Sequence, residues 1–222
     1  MGRGSSGSGG SGGELGGGSG KSINIKDQVD MISSRDPNNQ QQVDGVLTVS
    51  KQMVDKYGDV AALEGTFQIA TLGGQDAVSV LGFYDPDKGG ISMNTNLMDS
   101  TKADSVYDKC VADGYHPSRG NKSGVEAIAA HEYGHALADA YGRMMGYNDI
   151  DMASKDIVTK AMKSMGQSKG SKGFAAKISG YAQENYAECV AEACSDVYCN
   201  GNNARAESRA IVAAIDKVLL KK

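Results

Sequence analysis

Two of the chain's three histidines fall in one short segment, His131-Glu132-Tyr133-Gly134-His135. Residues four apart on a helix share a face, so both imidazoles can reach a single metal ion. Two imidazole nitrogens at ~2.0–2.1 Å suit zinc. Glu132 stands one position along, beside that face, where its carboxylate meets a metal-activated water without ligating the ion. A hydrolytic centre needs this division: nitrogens hold the ion and a carboxylate takes the proton from the water. The pattern assigns His131 and His135 as metal ligands and Glu132 as general base. The rival reading is two core histidines flanking a surface glutamate.

A catalytic zinc site takes three protein ligands and leaves one position open. A metzincin continues with Gly and His, three and six residues after the second histidine. Here those positions hold Ala138 and Tyr141, which excludes that class. Two minor candidates for the third ligand are Asp139, one turn further along the ligand face, and His116, in a loop beside Pro117. Stronger candidates follow Ser179-Gly180-Tyr181. Asn185 can cap a helix whose third residue is Glu188, and Glu188 shares a face with Glu192. The helix dipole accounts for Glu184. It does not account for Glu188 and Glu192 among Ala187, Val190, Ala191 and Ala193, so metal work is expected of both.

These residues need elements to position them. Ser123-Gly124-Val125-Glu126 fits a capping box that opens the His131 helix, expected to run to about Gly146. Further helices are expected at about 151–165, 185–198 and 204–220. Upstream, 44–57 suits a helix, and 65–71 and 77–84 read as strands parted by a Gly-Gly turn. The turn signal from Asp85 to Gly90 precedes Ile91–Asn94, giving a hairpin or two edge strands. The expected class is α+β, a small sheet with an edge strand followed by a mainly helical half.

Composition sets outer bounds. The first 20 of 222 residues include eleven glycines and five serines, which reads as a flexible tail, either a natural tether or a fusion remnant. Residues 21–222 then form a single domain with room for a core. A net charge of −4, a pI near 5.4 and 40% hydrophobic content describe a soluble globular chain. They argue against nucleic-acid or anionic-membrane partners. No apolar run approaches the ~20 residues of a membrane span, and no secretory signal opens the chain. The four cysteines lack Cys-x-x-Cys spacing, and free, partly buried thiols are expected over a disulfide. Ser164–Gly173 reads as a mobile loop, and the ten methionines, Met144 and Met145 included, as fillers of core gaps and helix faces.

Taken together, the sequence resembles the lethal-factor-like branch of the gluzincin metallopeptidases. That branch pairs a His-Glu-x-x-His helix with a downstream Tyr-x-x-x-Asn-x-x-Glu-x-x-x-Glu segment, matched here by Tyr181, Asn185, Glu188 and Glu192. The likeness is tight over 131–135 and 181–192. It departs at Cys189 and Val190, where aromatic residues often follow the ligand glutamate. The resemblance implies a zincin-like fold, a Zn2+ cofactor and Glu188 as third ligand. It implies that Glu192, with Asn185 nearby, steadies a ligand histidine and that Tyr181 donates its hydroxyl to an oxyanion. It further implies an endopeptidase whose peptide or protein substrate lies along an edge strand, 77–84 or 91–94. A looser likeness runs through Ile91–Asn94, the His116-Pro117 loop and the glycine-rich start, and is to zincin-like domains of bacteriophage head proteins. It implies a phage virion setting, otherwise the cytoplasm, with head proteins as partners. The alternative is a virion structural or cargo protein with a structural or inactive zincin site. A four-ligand shell that includes Asp139 or His116 would mark it.

Overall fold

The computed structural model describes residues 40–58, 67–70, 80–94, 96–97, 102–168 and 170–220. The glycine-rich tail and the Gly-Gly turn lie outside these residues. In chain order the elements are α1 (Gln40–Tyr57), β1 (Phe67–Ala70), β2 (Gly82–Asp85), β3 (Gly90–Asn94), α2 (Ala103–Ala112) and α3 (Gly124–Met145). Then come α4 (Ile150–Ser164), α5 (Ser171–Ala175), a 3-10 turn at Tyr181–Gln183, α6 (Tyr186–Asn200), a second 3-10 turn at Gly201–Asn203, and α7 (Ala206–Leu219). The class is α+β, with helix in the majority.

α3 is the central helix because it is apolar on every side; nearly every residue from Gly124 to Gly142 is buried. Its start is fixed locally. Ser123 Oγ accepts from the Glu126 amide at 3.1 Å, and Glu126 Oε2 accepts from the Ser123 amide at 3.0 Å. Its end is fixed by Gly146, whose φ of 79° lies in the left-handed region that closes helices. Around it pack α1, α4, α6 and α7. Tyr133 donates to Ser50 of α1 at 2.7 Å, and Ser195 of α6 donates to the Ala127 carbonyl at 2.8 Å.

The tightest contact is between α3 and α6. A Cβ placed on Gly134 would stand 2.6 Å from Ala191 Cα and 3.0 Å from Cys194 Cβ, so the two backbones meet there directly. Only a residue without a side chain permits that approach.

The sheet is small and mixed, in the order β1-β3-β2. β2 and β3 form the expected hairpin, antiparallel with Tyr84 opposite Ile91. Asp85 tightens its turn by accepting from the amides of Asp87 and Lys88. β1 pairs in parallel with β3. Of the two segments expected at the edge, Ile91–Asn94 is therefore the central strand, and β2 holds the edge among the described residues. Strand propensity marks where a strand lies but carries no information on its partner, which packing decides.

The expected loop over 164–173 is also revised. α4 runs to Ser164 and α5 resumes at Ser171, with Phe174 buried, so the connection is shorter than a loop over 164–173. Met53, Met93 and Met162 fill the core, whereas Met144 and Met145 are 50% and 42% exposed at the end of α3. All four cysteines are free thiols. No helix among the described residues is long and apolar enough to cross a membrane.

Gly134→Ala should destabilise the protein by about 1–3 kcal/mol, because the added methyl must part α3 from α6. Gly173→Ala, where a Cβ meets nothing within 4 Å, is the control and should be neutral or slightly stabilising. Urea unfolding of the two variants beside the native chain measures the difference.

Candidate metal centre

Four side chains converge where α3 faces α6. His131 and His135 lie one turn apart on α3, and Glu188 and Glu192 lie one turn apart on α6. Asn185 starts α6 by accepting from the Glu188 amide at 2.8 Å, which sets the first turn of that helix against α3. Glu188 Oε2 stands 3.1 Å from His131 Nε2 and 3.5 Å from His135 Nε2. One ligand atom from each of the three residues lies within 4.8 Å of the others.

The donor set fits zinc. Two ligands bound tetrahedrally at ~2.0–2.1 Å lie about 3.3 Å apart, between the two observed separations. His135 Nε2 is buried without a hydrogen-bond partner among the described residues. A buried nitrogen of that kind incurs a cost that a bound cation removes.

Glu192 sits behind the three. Its Oε1 takes His131 Nδ1 at 2.7 Å, and its Oε2 accepts the Ser179 hydroxyl at 2.7 Å. With Nδ1–H committed to Glu192, His131 turns Nε2 toward Glu188, and a metal would take that nitrogen in place of its proton. Ser179 was not singled out by its spacing; the Ser179-x-Tyr181 proximity to the glutamate helix is its only sequence signal.

Glu132 reaches the sheet on one side while the charges of His131, His135 and Glu188 act on it from the other. Its carboxylate accepts the Tyr84 amide of β2. Gly82 leaves the space, since a Cβ there would come within 3.2 Å of Glu132 Oε1. Burial raises the Glu132 pKa, with the Glu188 charge adding to it, against the pull of His131, His135 and the Tyr84 amide. Tyr181 is buried with its ring stacked on His131, centroids 5.7 Å apart at 13°.

The two minor ligand candidates are engaged elsewhere. Asp139 accepts the Tyr84 hydroxyl at 2.9 Å and pairs with Arg143, so it braces β2. His116 turns its Nδ1 to Glu192 Oε1 at 2.9 Å. Asp151, at the start of α4, is a neighbour that spacing did not reveal; burial raises its pKa, and the charges of Asp149, His135 and Glu188 all act on it.

The charges are mutually dependent. Burial opposes ionisation of Glu188, but His135 and His131 outweigh it and hold its carboxyl well below the usual range. Burial likewise opposes the charge on Glu192, and His116 and His131 bring its pKa down to about 2. His131 moves the other way: burial alone would depress it, yet Glu188 and Glu192 hold it well above its ordinary value.

The acid limb of stability follows. Glu192 titrates lower in the folded chain, about 2 against an ordinary 4.5, so its contribution is complete above about 4.5 and is lost as pH falls toward 2. Glu192→Gln should therefore flatten the dependence of unfolding free energy on pH across that window. Denaturant titrations of metal-free protein at a series of pH values measure the slope.

No protein-family model, curated protein or solved structure matches the chain.

Proposed function

We propose that the chain is a zinc-dependent endopeptidase with a zincin-like centre, in which His131, His135 and Glu188 hold the ion. The observation that carries this reading is the convergence of three ligand atoms within 4.8 Å, drawn from two helices 53 positions apart at His135 and Glu188. Zinc held there supplies Lewis acidity toward a water molecule and a peptide carbonyl. Glu132, made more basic by burial, takes the proton of the attacking water on its carboxylate and delivers it to the departing amine nitrogen. Tyr181, packed against His131, donates its hydroxyl to the oxygen on which charge develops. β2 lies beside Glu132, and its outer edge, unpaired among the described residues, offers main-chain groups to an extended peptide. Such pairing gives affinity with little side-chain selectivity.

The rival reading, a structural site in a virion protein, calls for a fourth protein ligand. Of the candidates for that place, Asp139 is bonded to Tyr84, and neither it nor His116 is in the group of ligand atoms that converge within 4.8 Å. Glu132 also has no task in a purely structural shell. The looser likeness in the sequence makes a phage particle the proposed setting, with head proteins as substrates.

Native protein purified without added metal should carry near one zinc per chain, and Glu188→Ala should retain far less. Glu132→Gln should keep its zinc and lose cleavage of a mixed peptide library by at least about 10²-fold, the scale of general-base loss. Elemental analysis and mass spectrometry of the digests read the two effects separately. Zinc retained equally by native and Glu188→Ala chains removes Glu188 from the ligand set. Zinc without cleavage in the native chain favours the structural reading.

A further inference from the structure

His116 is far from the ligand motif in sequence and is 3% exposed in the fold. A loop histidine beside a proline is ordinarily solvated, but this one is packed against two aromatic rings and bonded through Nδ1. Its ring stacks on Tyr107, centroids 5.3 Å apart at 4°, and meets Tyr181 edge-on at 5.6 Å. Its loop is tied to the chain before α6, with the Gly180 amide donating to the Gly114 carbonyl at 2.8 Å and the Tyr181 amide to the Tyr115 carbonyl at 3.0 Å. The Tyr107 hydroxyl holds the Pro117 carbonyl at 3.2 Å.

All of this aims His116 Nδ1 at one atom, Glu192 Oε1, which also receives His131 Nδ1. We infer that His116 is a positioning residue for the metal centre: by sharing the Glu192 carboxylate with His131, it fixes the orientation and tautomer of that ligand. The inference rests on the metal reading above and adds a residue to it.

The physical argument concerns rotation. Glu192 is 1% exposed, so no solvent shell holds its carboxylate in place. Ser179 anchors Oε2 from one side. Without a second donor on Oε1, the hydrogen bond from His131 would be the only restraint there, and ligand and support could swing together. The His116 N–H supplies an independent restraint from the loop between α2 and α3. Charge-assisted bonds to a dry carboxylate are short and directional, so the restraint is firm. It passes through Glu192 to Nδ1–H of His131, which leaves Nε2 directed at the cluster with Glu188 and His135.

Zinc dissociation constants for the full chain, measured by competition with a chromogenic chelator, test the clamp. His116→Phe keeps a ring against Tyr107 and removes the donor; it should bind zinc about 10-fold more weakly, the low end for support of a ligand histidine. His116→Asn places an amide nitrogen near the position of Nδ1 and should recover most of that loss. In a Glu192→Gln background, His116→Phe should have little further effect, which a merely space-filling role would not produce. Native affinity in His116→Phe, or an equal loss in both backgrounds, overturns the clamp. If His116→Phe does not fold, His116→Gln, which sets its amide near Nε2, replaces it; equal affinity of the Asn and Gln variants then overturns the clamp. A native chain that binds no zinc overturns the metal reading itself, separately from the clamp.

Discussion

At Gly134 the backbone of α3 rests on the backbone of α6 at Ala191, with no side chain between them. Helices this close leave the residues within one turn of the contact no freedom to avoid each other. On α3 those residues include His131 and His135; on α6 they are Glu188 and Glu192. The contact therefore acts as a template, because it brings two imidazoles and two carboxylates together before any ion is considered. The alanines that flank both helix faces serve the same end by keeping the interhelical gap narrow.

Such an approach makes burial an electrostatic problem. An ionised carboxylate taken from water without a partner costs several kcal/mol. Glu188 and Glu192 are both 1% exposed, and each is answered by imidazoles from outside its own helix. No member can be removed without leaving another stranded, so the cluster is tolerable only as a whole. This interdependence explains why Ser179, His116 and the loop around Tyr115 belong to the centre although none offers an atom to the ligand triangle. It also explains the opposite shifts of His131 and the two glutamates, which are one interaction seen from its two ends.

Glu132 belongs to a different face of α3, and the sheet decides its setting. Gly82 gives it room, the Tyr84 amide holds its carboxylate, and Asp139 holds the Tyr84 hydroxyl in turn. One helix thus presents two imidazoles to α6 and the Glu132 carboxylate to β2. A sheet of three short strands is sufficient for this task, because only its outer strand must lie over the helix.

Sequence alone determined what is local. The Ser123 box, the Asn185 cap, the Gly146 stop and the apolar periods placed α3 and α6 within a residue or two, since caps and periodicity act over one or two turns. The i, i+4 spacings of His131 with His135 and of Glu188 with Glu192 fixed which side chains share a face. Tertiary structure decided everything that depends on which face meets which. It placed His116 on Glu192, gave Asp139 to Tyr84, put Ser179 behind the cluster, and made Ile91–Asn94 the central strand rather than an edge. These outcomes join residues tens of positions apart, and a single chain's spacing carries no signal at that range. Pairing there is set by the packing of whole helices and by the need of each buried charge for an opposite one.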